Sequence, residues 1–547
     1  MNMKFLLFLT FVFSAAANAM SGQALVTDLN TKYQSNVAQC SNGAPAYYCS
    51  GVLLRAVDYS TSFKFWDYGS QATKLGSVAF TYIRSDVGST TLNSNRKSGF
   101  ILKDQTSALV AGKVLNLRCI FPFPTESLDI RADHGCGFAP KNMQVDPDLA
   151  NCAKLWGSPV TAAAWLKNFK EHQSLPQNQC SLSTVVAAQF KASLEAHKLV
   201  DATWTAKPME VLVQTWDESK PEKIPVEAVF YDATVPAKLA DAQKFQREYY
   251  AATSLYVPVI RMNLTAANKE IFSFSATDQV YGQVVAERLN ARYSSTSNDC
   301  GGKAAYYCSG ILVRTTGASE KYHAWDPSPS SETSGSVSFS YLRTDLGVAR
   351  LFSGETQGFV FKDQNAVEKN AYYPVAILCT YPSDGAIYPN RSNKGCGAHS
   401  WYPDSSRSCP EEGVTTLAKW VSHFHRTSQR YLSQCSFTPD KDQFTISLQA
   451  RNAFQHPSDR INYNEVVVAV WPKGRRDLPI EAFVYVTAPG RAVGLEGAKY
   501  MQKDYYNTVG DIVPVIRLVL GNGPATAFNY FSQDQAVDTS GRVLAAD

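Results

Sequence analysis

Nearly every landmark of this chain occurs twice. "GQALVTDLNTKYQ" from Gly22 returns as "GQVVAERLNARYS" from Gly282, an offset of 282 − 22 = 260 residues. "AYYCSGVLLR" from Ala46 returns as "AYYCSGILVR" from Ala305, and "IPVEAVFY" from Ile224 as "LPIEAFVY" from Leu478. The cysteines follow the same rule. Cys40, Cys49, Cys119, Cys136, Cys152 and Cys180 match Cys300, Cys308, Cys379, Cys396, Cys409 and Cys435. A duplication this regular constrains the fold to two tandem homologous domains, with a boundary near Val280. It gives an N-terminal repeat over 20–280 and a C-terminal repeat over 281–547. At 547 residues the chain is also too long for one hydrophobic core.

Because each cysteine has a counterpart, bridges are expected to close within each repeat. Six cysteines allow 15 pairings. Pairing in chain order, Cys300–Cys308, Cys379–Cys396 and Cys409–Cys435, is the expectation, with the other pairings left open. The chain start fits an oxidising destination. Met1–Lys4 is a short basic segment, "FLLFLTFVF" follows from Phe5, and "ANA" closes at Ala19. That pattern reads as a signal peptide over 1–19 and a secreted or periplasmic mature chain. No later stretch is apolar enough to span a membrane. The net charge of +4, without a Lys/Arg run, gives no support to a nucleic-acid partner.

Aromatic residues make up 12% of the chain, which favours strands. "SVSFSYL" alternates like a half-buried strand, "EVVVAVW" and "IEAFVYV" are rich in β-branched residues, and "VVAERLNARY" and "GAKYMQKDYYNTV" read as helices. Without strict βαβ alternation, the class is α+β, with mainly antiparallel packed sheets and flanking helices.

Three polar features interrupt the apolar pattern of the C-terminal repeat. Period 2 places Ser336, Ser338 and Ser340 on one face of their strand, which suits a wet cleft. Arg314 follows the apolar run Ile311–Val313 and calls for a partner. Glu481 sits inside an apolar strand, where an acid is costly unless paired or functional. For metals there is no close C-x-x-C pair and no HExxH. His423 and His425 do not share a helix face, so no metal site is expected.

An arginine, a strand reading Val-Ser-Phe-Ser and a strand-borne glutamate resemble the Arg–Ser–Glu constellation of ADP-ribosyltransferase toxins. With "CSG..LR", "YH.W.PSP", "SFSYLR" and "GCGAHS", the chain resembles the halovibrin group of secreted bacterial ADP-ribosyltransferases or NAD glycohydrolases. The resemblance implies an ADP-ribosyltransferase-like fold, NAD as substrate and no prosthetic group. It assigns Arg314, Ser338 and Glu481 as catalytic: Arg314 on the phosphate or ribose side, Ser338 orienting Glu481, and Glu481 stabilising an oxocarbenium-like ribose. His323, Trp325, Ser336, Ser340 and His399 would contact substrate, the indole by stacking. Phe339 stands where the toxins carry threonine. Pro479 stands where arginine-modifying transferases carry Gln or Glu, so water is the expected acceptor.

The N-terminal repeat keeps Arg55 and Glu227 but has Ala79 for Ser338, Thr81 for Ser340 and Lys64 for His323. The C-terminal repeat is therefore the expected active domain. The rival expectation is a non-catalytic secreted binding or adhesion protein.

Overall fold

The computed structural model describes residues 22–57, 76–87, 91–92, 96–103, 116–125, 135–136, 151–153, 160–171, 179–200, 207–214, 225–266, 269–316, 323–348, 351, 356–370, 373, 375–385, 392–397, 408–426, 434–453, 463–475, 478–487, 494–520 and 527–538. The expected signal peptide and His399 lie outside these residues. The N-terminal repeat contains β1 (Val52–Ala56), β2 (Ser77–Ile83), β3 (Ser98–Leu102), β4 (Leu117–Phe121), β5 (Leu182–Ser183), β6 (Met209–Gln214), β7 (Val226–Asp232), β8 (Val259–Met262) and β9 (Phe272–Phe274). The C-terminal repeat contains β10 (Ile311–Thr315), β11 (Ser336–Leu342), β12 (Gln357–Phe361), β13 (Ile377–Tyr381), β14 (Glu465–Ala469), β15 (Ile480–Val486), β16 (Val515–Leu518) and β17 (Phe528–Tyr530).

The duplication is written into the topology. One sheet runs β5-β4-β6-β2-β1-β3-β7-β8-β9 and the other β13-β14-β11-β10-β12-β15-β16-β17. Apart from the two-residue edge strand β5, the two orders correspond strand for strand. The class is α+β, as expected. Each repeat, however, holds one continuous mixed sheet where packed separate sheets were expected. The reason lies in β11, whose residues Ser340–Leu342 pair with β10 while Ser336–Phe339 pair with β14. The serine strand thus passes from one group of strands to the other, and the two groups stay joined.

Among the described residues, all strand pairs are antiparallel except β7/β8 and β15/β16. Parallel neighbours need a crossover. The helices Leu239–Thr253 and Leu495–Val509 supply it, the latter burying Ala498, Met501, Tyr505 and Val509 on one stripe. The helix Tyr281–Ser294 buries Tyr281, Val285, Leu289 and Tyr293 at a spacing of four and opens the second repeat. In both repeats a glycine permits close strand approach. A Cβ on Gly99 or Gly358 would collide with the backbone carbonyl of Arg55 or Arg314. All six bridges follow chain order: Cys40–Cys49, Cys119–Cys136, Cys152–Cys180, Cys300–Cys308, Cys379–Cys396 and Cys409–Cys435. Among the described residues, no helix is long and apolar enough to cross a membrane.

Candidate functional site

Register decides which of the expected residues can meet. Val313 lies opposite Ser340 and Val360, while Arg314 lies opposite Phe359, which in turn lies opposite Phe483. Cross-strand partners project to the same face, and successive residues to opposite faces. Arg314 therefore shares its face with Phe359 and Phe483, and the serines take the other. The structure does not bring Arg314 and Ser338 together.

Ser338 does hold a glutamate, but a different one. Its hydroxyl donates to Oε1 of Glu465, at the start of β14. Glu465 is only 1% exposed. Its Oε2 accepts the backbone N–H of Gly385 at 2.5 Å. A Cβ at Gly385 would lie 2.7 Å from that oxygen and 2.6 Å from the Tyr381 ring. Glycine is what lets the amide reach the carboxylate.

The serine face is covered rather than wet. Ser336 and Ser340 are 3% and 1% exposed, and each hydroxyl lies buried without a hydrogen-bond partner. Ser338 itself is half-buried. Cys379 lies opposite Val467, and Val467 opposite Ser338, so the three share a row. Cys379 is bridged to Cys396, and the Tyr381 hydroxyl bonds to the carbonyls of Gly395 and Gly397 at 2.9 Å each. Residues 392–397 are thereby clamped beside this row.

Glu481 is anchored elsewhere. Its Oε1 accepts from the Tyr250 hydroxyl at 3.2 Å and faces Arg288 Nε at 3.5 Å. Tyr250 belongs to the N-terminal repeat, so this acid belongs to a junction between repeats. Arg288 continues the network to Asp363 and to the Ser254 hydroxyl, and Lys362 Nζ donates to the Ser254 carbonyl at 3.2 Å. Burial works against the charge on Arg288, but Glu481, Tyr250 and Asp363 outweigh it and raise its pKa. Burial likewise pushes the Asp363 carboxyl up, and Arg288 and Arg292 pull it below the ordinary carboxylate value.

Trp325 is fully buried, stacked on His323 with ring centroids 4.7 Å apart and met edge-on by Tyr505 at 5.0 Å. An indole packed on both sides leaves no open face for a base, contrary to the stacking expected of it. His323 Nδ1 pairs with Asp504 Oδ2 at 2.7 Å. Glu412, His423 and Cys435 lie close together, but Cys435 is in a disulfide and cannot serve as a thiolate ligand.

Glu465 is not among the expected residues, although "NEVVVAV" carries the same signal of an acid beside an apolar run as Glu481. The N-terminal repeat has Glu210 at the equivalent place, and its carboxylate accepts the Thr125 N–H at 2.5 Å and the Thr125 hydroxyl at 3.3 Å. The hydroxyl comes from the loop in one repeat and from the strand in the other, since Thr125 corresponds to Gly385 and Ala79 to Ser338. The carboxylate is common to both repeats; its serine contact is peculiar to the second. No known family model matches the chain, and no curated protein matches it.

Proposed function

We propose that this is a secreted enzyme that cleaves NAD at the nicotinamide–ribose bond, using the Ser338–Glu465 pair of the C-terminal repeat. One observation carries the reading: the hydroxyl of Ser338 donates to a buried carboxylate in the repeat that kept the serine, and alanine stands there in the other. The motif likeness to the halovibrin group supports the substrate, and the six disulfides suit an oxidising compartment. In this reaction the C–N bond breaks with its electron pair leaving on nicotinamide, and positive charge develops on the ribose. A glutamate fixed by Ser338 and by the Gly385 amide has little freedom to reorient, so its charge is preorganised for that cation. Water adds to the ribose and loses a proton, giving ADP-ribose. Glu481 has no part in this chemistry and joins the repeats.

The test is nicotinamide release by the full chain and by Ser338→Ala. Loss of one orienting hydrogen bond should lower the rate about tenfold or more. An unchanged rate removes the pair from the mechanism.

A binding or adhesion role is the second reading. It is favoured by Arg314 lying on the face opposite Ser338, and by Glu210, the counterpart of Glu465 in the N-terminal repeat, whose carboxylate pins a loop there. Absence of NAD cleavage by the intact chain, with its disulfides formed, would support it.

A further inference from the structure

We propose that the N-terminal repeat contains an oxyanion site, built from Arg55 and Arg96, that takes a phosphate group. Arg55 lies on β1, opposite Phe100. Its guanidinium sits 5.9 Å from the Phe80 ring centroid, and Nη1 donates to the Ala79 carbonyl at 3.4 Å. Its Nε is buried and has no acceptor. Arg96, two residues before β3, donates through Nη1 to the carbonyl of Ala56 at 3.4 Å. Ala56 follows Arg55 directly, so the two guanidiniums crowd one stretch of β1.

What is missing around them is a counter-charge. Among the described residues, neither arginine has a carboxylate within ion-pair distance. Arg84, Arg343 and the half-buried Arg288 do: they pair with Asp86, Asp345 and Asp363. The consequence shows in Arg55, whose pKa is pushed down to about 10, first by burial and then by the charge of Arg96. Two guanidiniums held together without an acid are unfavourable on their own. They become favourable once an oxyanion lies between them, because each planar fork donates charge-assisted, bidentate hydrogen bonds to phosphate oxygens.

The duplication shows how such a site would arise. Arg55 corresponds to Arg314, and Gly99 to Gly358, an offset of 259 in each case, which places Glu355 where the first repeat has Arg96. The sequence thus carries an arginine and an acid in the second repeat and two arginines in the first. One charge reversal turns a neutral set into an anion receptor. The N-terminal repeat, poorer in the polar groups of the Ser338 region, gains a binding site of its own. This inference does not depend on NAD cleavage.

The test uses the full chain and inorganic phosphate, with ionic strength held constant by sodium chloride. A ligand that binds only the folded state raises Tm in a saturable way. The parent protein should show that rise, and calorimetric titration should show one phosphate bound. Arg96→Glu restores the charges of the second repeat. It should raise Tm without phosphate and weaken phosphate binding at least tenfold, and Arg55→Gln should also weaken binding. If Arg96→Glu folds poorly, Arg96→Gln replaces it with the same expected loss of binding. Tighter binding of AMP than of phosphate would point to a phosphate ester as the natural ligand, and equal binding to free phosphate. A parent Tm indifferent to phosphate, or undiminished binding by the Arg96 variants, would overturn the proposal.

Discussion

Replacing Glu481 by glutamine separates its two possible roles, as a group acting on substrate and as a strut between repeats. The amide keeps the shape and an acceptor for the Tyr250 hydroxyl, but removes the charge that faces Arg288 at 3.5 Å. At an effective dielectric of ~20, that pair is worth about 5 kcal/mol before desolvation is counted. Removing one partner of a buried pair generally costs ~3–5 kcal/mol. Arg288 retains Asp363 and the Ser254 hydroxyl, so the lower end, about 3 kcal/mol, is expected. At ~2–4 °C per kcal/mol, this lowers Tm by about 6–12 °C in the C-terminal repeat. Differential scanning calorimetry reads the shift. Tyr250→Phe should lower Tm by less, and the two substitutions should combine non-additively, because both touch the same oxygen. A Glu481→Gln protein that melts within a degree of the parent would refute the junction role. So would one that keeps its Tm and loses NAD cleavage.

The same junction sets an acid limit. Asp363 has its pKa depressed in the folded state, so its contribution is complete above the ordinary carboxylate pKa of ~4 and is lost as pH falls through the lower folded value. Unfolding midpoints measured from pH 5 downwards should fall steeply below about pH 4, and Asp363→Asn should flatten that fall while lowering stability at pH 7. At the serine site, Gly385→Ala should cost about 1–3 kcal/mol in denaturant titration, because its Cβ meets Glu465 and Tyr381. Gly385→Ala with unaltered stability would mean that the amide–carboxylate contact is not tight.

Much of the fold was legible in the chain. The repeats and the sequence-order cysteine pairing rest on local pattern and appear in the structure; "SVSFSYL" is a strand as expected, but it is buried on both faces rather than half-buried. The site was less legible because it depends on register between strands. Period 2 shows that the serines share a face, but only the pairing of Val313 with Ser340 shows that Arg314 takes the other one. Glu481 was recognisable as a costly buried acid. Its partner Tyr250 lies 231 residues away in the other repeat, where no motif links them. Glu465 carries the same signal at a strand end, but its serine partner is adjacent only through the β11–β14 pairing, which no local pattern shows. Trp325 looked like a stacking platform, and its neighbours His323 and Tyr505 take up that role within the core.

The carboxylate held by Ser338 is proposed to carry the chemistry. Nicotinamide release from NAD should be measured for the parent, Glu465→Gln and Glu481→Gln proteins, each checked for folding by its melting transition. A loss of about 10²–10³ in kcat is expected for Glu465→Gln, and a rate near the parent's for Glu481→Gln at temperatures where it is folded. A folded Glu465→Gln protein that releases nicotinamide as fast as the parent would contradict it.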